Sequence, residues 1–155
     1  MSGTIDDRLA ELGIELPKPS TPAASYIPYA VVGKTVFVAG QVCVWNGELV
    51  CKGRLGDGVS LEDGYNAART CGLNLIAQMR EACGGDLDRV KRVVKLGGFV
   101  SCTADFTDHP KVVNGASDLM VEVFGDAGKH ARFAVGAPSL PLNVAVEVDG
   151  IFEIA

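Results

Sequence analysis

The chain has 155 residues, of which 48% are hydrophobic and 21% are charged, the balance of one ordinary globular domain. A net charge of −5 and a pI near 5.0 argue against a nucleic-acid partner, because proteins that neutralise phosphates usually present a basic stripe. The mean hydropathy of +0.23 leaves two interpretations open: a large core of Val and Ala, or apolar surface covered by partner subunits.

A short helix and a proline-rich connector open the chain. Apolar residues recur at helical spacing from Ile5 to Leu12, and Gly13 can close this helix. Three prolines between positions 17 and 22 then indicate an extended connector. No internal repeat, low-complexity tract or linker to a second domain is present.

Two turns are predicted next. Apolar runs at residues 29–32 and 35–39 flank Gly33-Lys34, which predicts a hairpin with a two-residue turn. Residues 41–45 continue as a strand or a bulge. Asn46-Gly47 then indicates a second tight turn, because both residues accept a positive φ.

A long helix and a long strand follow. Ser60 is a candidate N-cap for a helix whose apolar positions recur as far as Met79, and Gly84-Gly85 can end it. Residues 90–102 form a β-rich run, in which Gly97-Gly98 is a candidate bulge.

A second helix begins at Asp108 or His109 and ends at Gly125, and two more strands complete the chain. Long helices between strands predict an α+β sandwich, with a mixed β-sheet and two long helices packed on one face.

The last two apolar runs carry one arginine and one glutamate, fifteen residues apart. Arg132 lies in the run 131–135 and Glu147 in the run 144–148. If these runs pair as neighbouring strands, the two side chains line one cleft, where the guanidinium binds a carboxylate and Glu147 holds or activates a water. The alternative is an isolated exposed charge on each of two edge strands, which spacing alone favours.

The cysteines indicate reduced, buried thiols. They are Cys43, Cys51, Cys71, Cys83 and Cys102, with no CxxC pair and no histidine at ligand spacing, so we expect no metal site. No adjacent base is visible for Cys102, which we interpret as core packing. The N-terminus lacks a signal-peptide pattern and the apolar runs are too short to span a bilayer, which predicts a cytoplasmic protein without a membrane partner.

Several segments together resemble the RidA/YjgF family, also known as endoribonuclease L-PSP or translation-inhibitor-like proteins. They are Pro28-Tyr29, residues 38–41, Asn74 in its helix, residues 90–100, 130–132, Leu140-Pro141 and 146–148. Residues 115–119, Phe124-Gly125 and 128–132 resemble a longer YjgF-like branch. The resemblance implies a chorismate-mutase-like single domain at residues 23–155, after an N-terminal helix and connector at residues 1–22. It also implies a homotrimer with clefts between subunits.

The resemblance implies a chemistry as well. RidA-type deaminases hydrolyse 2-aminoacrylate enamines and imines to 2-keto acids and ammonia. This chemistry needs no metal or covalent cofactor, because an imine carbon is already electrophilic. By motif position, Arg132 binds the substrate carboxylate and Glu147 positions the water. The other implied site residues are Gly40 through its backbone, Asn114, and Tyr29 as a cleft-lining residue, with Tyr26 as its competitor.

Three side chains depart from the family pattern near this site. Ala39 replaces a common Ser, Ala134 a common Cys, and Phe133 a small residue, so the pocket is expected to differ in shape. Two function classes stay open: an imine or enamine deaminase, and a non-catalytic, small-carboxylate-binding or regulatory trimer. Ribonuclease, the family's older name, has poor electrostatic support at this net charge.

Overall fold

The structure is a computed structural model that describes residues 3–21 and 25–155. Its helices are α1 (Thr4–Glu11), α2 (Leu61–Ala82) and α3 (His109–Phe124). Its strands are β1 (Tyr29–Val32), β2 (Thr35–Val42), β3 (Val44–Trp45), β4 (Glu48–Leu49), β5 (Arg54–Leu55), β6 (Gly58–Val59), β7 (Val90–Ser101), β8 (Ala131–Ala137) and β9 (Val146–Ile154). Within these residues no helix is long and apolar enough to cross a bilayer.

Five strands form one mixed sheet in the order β1-β2-β9-β7-β8. Strands β7 and β8 run parallel, and every other neighbouring pair is antiparallel. Helices α2 and α3 lie side by side on one face, α2 against β2 and β9, and α3 against β7 and β8. This confirms the predicted α+β architecture, with a mixed sheet covered on one face by two long helices.

Both long helices begin and end where local chemistry predicts. The Ser60 hydroxyl accepts a hydrogen bond of 3.1 Å from the Asp63 N–H and so caps α2. Gly84, at φ 66°, follows the last turn of α2. Helix α3 begins at His109 and ends at Gly125, whose φ is 62°.

The core lies between the helices and the sheet. Alternate side chains of β7 and β9 point toward the helices and are fully buried, among them Leu96, Val100, Val146, Val148 and Phe152. Burying each such side chain stabilises the fold by about 1.5–3 kcal/mol. The opposite face of the sheet carries no helix; we call it the open face.

Helix α1 packs on the same core. Leu9 is buried, and the Asp88 carboxylate accepts hydrogen bonds of 2.9 Å from the Thr4 and Ile5 N–H groups. Arg80 and Asp6 form an ion pair at 2.9 Å. The predicted boundary at residues 22 and 23 lies outside the described residues and stays a prediction.

The last two strands do not pair with each other, so the condition for a shared cleft within one chain is not met, and only β8 lies at a sheet edge. Strand β7 lies between them: Leu96 of β7 pairs with Arg132 of β8 on one side and with Gly150 of β9 on the other. The crossover through α3 places β8 parallel to β7 at the sheet edge. Strand β9 then returns antiparallel on the inner side, between β2 and β7, where its buried valines meet the helices.

The predicted bulge at Gly97-Gly98 is wrong. The register of β7 runs without a shift from Lys95 to Val100; its shifts lie earlier, before Arg92 and before Lys95. The two glycines are instead required by close packing. A Cβ on Gly97 would lie 2.6 Å from the Phe133 ring, and one on Gly98 would lie 2.5 Å from a Val113 methyl of α3.

Candidate functional site

Glu147 lies on the open face of the sheet. Along β9 the flanking Val146 and Val148 are fully buried toward the helices, whereas Glu147 is half-buried on the opposite face. Burial, assisted by the nearby Asp149 carboxylate, raises the pKa of Glu147. The side chain is therefore partly desolvated and holds its proton more strongly than an ordinary glutamate does.

A cavity of about 310 Å³ opens beside Glu147, and Gly40 and Tyr26 line it as well. Strand β2 changes register between Val38 and Gln41, which brings Gly40 against the carboxylate. A Cβ on Gly40 would lie 2.6 Å from Glu147 Oε1, so a larger residue at this position would displace the carboxylate. We call Tyr26, Gly40 and Glu147 the glutamate group.

Of the two candidate tyrosines, Tyr26 lines the cavity beside Glu147. Tyr29, at the start of β1, lines a neighbouring cavity with Gln78 and Glu81. Tyr26, which the sequence analysis gave as the alternative to Tyr29, therefore belongs to the glutamate group.

Arg132 lies at the start of β8 and reaches toward α3. Its Nη1 donates to Asn114 Oδ1 at 2.8 Å and to Ser117 Oγ at 3.1 Å. These two bonds use both hydrogens of Nη1. Among the described residues, the Nε and Nη2 atoms have no hydrogen-bond partner, so one edge of the guanidinium is free for a carboxylate to bind at two points.

A hydrogen-bond chain continues behind Arg132. His130 Nδ1 lies 2.6 Å from the Gly128 carbonyl, which can only accept, so Nδ1 carries a proton. The other ring nitrogen, Nε2, forms a hydrogen bond of 2.9 Å with the Ser117 hydroxyl. We call Arg132, Asn114, Ser117 and His130 the arginine group. Sequence analysis missed Ser117, although it lies one helical turn after Asn114, a spacing that places both on one face of α3.

The two groups do not meet within one chain. Arg132 pairs with Leu96 of β7, and Glu147 pairs with Phe99, three residues further along the same strand. Arg132 and Glu147 are separated by two inter-strand spacings across the sheet and by three residues along the strand direction. Their Cα atoms therefore lie about 14 Å apart. Because they also project from opposite faces of the sheet, one small ligand cannot contact both in a single subunit.

Phe133 follows Arg132 but projects from the open face. Its ring packs edge to face on Phe99, with centroids 5.3 Å apart, and Lys95 Nζ lies 5.6 Å from its centroid. The bulky residue therefore fills surface beside Gly97 rather than the space around the guanidinium. Phe37, Phe99 and Val135 leave partly exposed apolar surface on the same face.

No group of three or more His, Cys, Asp or Glu side chains suitable for a metal ion is found in residues 3–21 and 25–155. The arrangement instead offers a carboxylate anchor in the arginine group and a half-buried acid–base residue in the glutamate group.

The chain and its fold are similar to those of known proteins. Residues 6–153 match the YjgF/chorismate mutase-like family. Protein TCP17 of Trypanosoma cruzi is 45% identical over 154 residues, which are 99% of this chain and 96% of that protein. The crystal structure of Atu1372 from Agrobacterium tumefaciens superposes with a TM-score of 0.91 at 41% identity, covering 97% of this chain and 92% of the other. RidA from Psychrobacter sp. PAMC 21119 shares the fold at 24% identity, with a TM-score of 0.59 over 88% of this chain and 94% of the other.

Proposed function

The chain belongs to the YjgF/chorismate mutase-like family, and from that premise we propose that it is a cofactor-free hydrolase of reactive 2-imino and enamine acids of the 2-aminoacrylate type. The products are 2-keto acids and ammonia. The observation that carries the proposal is the guanidinium of Arg132, which is anchored through Nη1 and has no partner along its Nε–Nη2 edge among residues 3–21 and 25–155. An edge held in this way is preorganised for the carboxylate that all these substrates share.

Glu147 supplies the water. Its carboxylate takes a proton from the water as the water oxygen adds to C2 of the imine and the C=N double bond becomes single, and Glu147 then passes that proton to the nitrogen. The resulting aminoalcohol then loses ammonia as the C–N bond breaks and the carbonyl forms. A carboxylate whose pKa is raised by burial is a stronger base than an exposed one, which suits this role.

The arginine group and the glutamate group act together only across a subunit border. We therefore propose a homotrimer with clefts between subunits, each cleft taking Arg132 and Asn114 from one copy and Gly40 and Glu147 from the next. Two observations support it: the separation of about 14 Å within one chain, and the apolar side chains that the open face leaves exposed. Neither nucleic acid nor a membrane is expected as a partner.

A cytoplasmic location belongs to the same proposal. All five cysteines are unpaired, and four of them are buried. Unpaired thiols suit a reducing compartment, where they are kept from forming disulfides.

A coupled assay tests the proposal. A serine or threonine dehydratase generates the enamine, and 2-keto acid release is followed with and without this protein. We expect faster release with the wild type. Arg132→Ala should abolish the acceleration, since losing a buried charge-assisted pair costs about 2–5 kcal/mol of binding. Arg132→Lys should rescue poorly, because an ammonium lacks the planar fork.

Glu147→Gln separates turnover from binding. It keeps the size of the side chain but removes the base, so hydrolysis should fall about 10²-fold or more while a 2-keto acid still binds. The second candidate function is a non-catalytic carboxylate-binding trimer, favoured by the fact that the arginine group is complete within one subunit. If wild type and Glu147→Gln bind 2-keto acids equally and neither accelerates imine hydrolysis, this second function replaces the first.

A further inference from the structure

Another cavity lies away from the arginine and glutamate groups. Its volume is about 440 Å³, within the range of small-molecule sites. It opens where the parallel strands β7 and β8 end and α3 begins, and Arg54, Cys102, Phe106, His109 and Gly136 line it. Gly136 lies four residues beyond Arg132 on β8, a separation of about 13 Å along the strand.

A thiol and an imidazole meet in this cavity. Cys102 Sγ lies 3.4 Å from His109 Nε2, a hydrogen-bond contact between a nucleophile and a base. The Phe106 ring packs edge to face on the imidazole, with centroids 5.3 Å apart, and so restricts its orientation. The Cys102 N–H donates to the Ala137 carbonyl at 3.0 Å, which fixes the backbone that carries the thiol.

Glycine at position 136 is required for this pair. A Cβ there would lie 2.7 Å from both Cys102 Sγ and His109 Nε2. The φ of Gly136 is not in the left-handed region, so the backbone itself would accept alanine. The absent side chain therefore leaves the sulfur and the imidazole accessible from the cavity.

Arg54 adds a cation to the same cavity. Its Nη2 pairs with Asp57 at 2.9 Å, and the two side chains are 41% and 63% exposed. An exposed ion pair of this kind is weak, so a bound anion can recruit the guanidinium. Arg54 also acts electrostatically on Cys102, which places its charge within reach of the thiol.

We propose that Cys102, His109 and Arg54 form a second site, in which the Cys102 thiol adds covalently to a small carboxylic acid that carries an electrophilic carbon. Arg54 binds the carboxylate and His109 acts as the base. With an α,β-unsaturated acid, the Sγ–Cβ bond forms as the C=C π bond breaks. The thiol proton passes to His109 Nε2 and then to the substrate Cα, so no oxidant or reductant is needed.

Base assistance is necessary at this site. Burial raises the pKa of the Cys102 thiol, so the resting group is protonated and His109 must accept its proton as the sulfur attacks. The covalent chemistry is independent of the proposed hydrolase activity, because it uses none of the residues of the arginine and glutamate groups.

Iodoacetate and iodoacetamide are a matched pair of probes, alike in size and different in charge. Each alkylates a thiol: the Sγ–C bond forms, the C–I bond breaks, iodide leaves and His109 takes the proton. The rate of modification at Cys102 is measured by peptide mass mapping on the full chain. We expect His109→Gln to slow both reagents about 10²-fold, the scale of a general base, and Gly136→Ala to slow both by separating the pair.

Arg54→Gln isolates the carboxylate contact. We expect it to slow iodoacetate about fivefold, the upper range for an exposed ion pair, and to leave iodoacetamide unchanged. Arg89→Gln removes the same charge elsewhere and should leave both rates as in the wild type. Equal effects of Arg54→Gln on the two reagents, or an unaltered rate in His109→Gln, would overturn the proposal. Because Arg54 is exposed, its variant tests the site even if His109→Gln fails to fold.

Discussion

Arg132 suits the proposed role of carboxylate anchor because its neighbours among the described residues bind only one of its nitrogens. Asn114 and Ser117 accept hydrogen bonds from the two hydrogens of Nη1, and the Ser117 hydroxyl is in turn hydrogen-bonded to His130 Nε2. The guanidinium plane is thereby fixed without using the edge that faces a ligand. Each hydrogen bond to a charged group contributes about 1.5–3 kcal/mol, enough to hold one orientation against side-chain entropy.

Ser117→Ala tests this positioning role. The change leaves one Nη1 hydrogen and His130 Nε2 without their partner, so the guanidinium gains freedom. We expect about tenfold weaker binding of a 2-keto acid, equivalent to about 1.4 kcal/mol. KM should rise far more than kcat falls, because Ser117 does not touch the reacting carbon.

The control for this change is Ser117→Thr, which keeps the hydroxyl and should keep most of the affinity. Calorimetry on the 2-keto acid and steady-state kinetics in the coupled assay measure the two effects. An alanine variant with unchanged affinity would remove Ser117 from the site.

The Glu147 side chain lowers the stability of the folded protein by an amount that depends on pH. The pKa of Glu147 is higher in the folded protein than in the unfolded chain. At pH values between these two pKa values, the folded state binds more protons than the unfolded state does. The free energy of unfolding therefore falls as the pH rises through this range. Glu147→Gln removes this penalty. We expect the variant to have a higher Tm than the wild type at pH 7, and a difference that shrinks toward pH 4.

Thermal unfolding at the two pH values measures the effect, with Glu153→Gln as the control on the same strand, since Glu153 is exposed. A Glu147→Gln variant less stable than the wild type at pH 7 would mean that the carboxylate is stabilising in the fold. Higher stability with lower activity is the expected signature of a functional buried acid.

At the scale of elements, the sequence predicts features that local chemistry sets better than it predicts which strands pair. The Gly33-Lys34 turn, the Ser60 cap and the stop at Gly125 are each set by one or two residues, and all three are confirmed. The position of β9 between β2 and β7 depends on contacts between residues far apart in sequence, which no local pattern encodes. The Cys102–His109 contact escaped prediction for the same reason, because a strand end and a helix start meet only in three dimensions.

Gly98→Ala tests the contact between β7 and α3. The new Cβ would lie 2.5 and 2.6 Å from the two methyl groups of Val113, a stiff β-branched side chain in α3. We expect a loss of about 1–3 kcal/mol from overpacking. At this chain length each kcal/mol corresponds to about 2–4 °C in Tm.

Val113→Ala provides the matched rescue, since it removes the two methyl groups. In a double-mutant cycle the pair should lose less stability than the sum of the single changes. Additive losses of stability would show that glycine at position 98 is required for some reason other than its close contact with α3.

At the scale of the whole molecule, the proposed site depends on residues that one chain holds far apart. A single chain holds the arginine group on the helix side of β8 and the glutamate group on the open face, about 14 Å away across two strand spacings. Neither group alone both anchors a carboxylate and supplies a base. The family resemblance associates Arg132 with Glu147, and the fold separates them, so the proposed hydrolase activity requires a second subunit to bring them together.

Phe37→Glu tests whether the open face is the interface. Phe37 lies on β2 with 45% of its surface exposed, and an unpaired charge there would oppose burial against another subunit. We expect the wild type to sediment at three times 16.2 kDa at micromolar concentration, and the variant at the monomer mass with its fold retained. Imine hydrolysis should be lost together with the trimer.

Val121→Glu is the matched control: Val121 has 39% exposure on α3, so the same change there should alter neither mass nor activity. Full hydrolysis by a monomeric Phe37→Glu variant would refute the shared cleft, because one chain would then complete the site by itself.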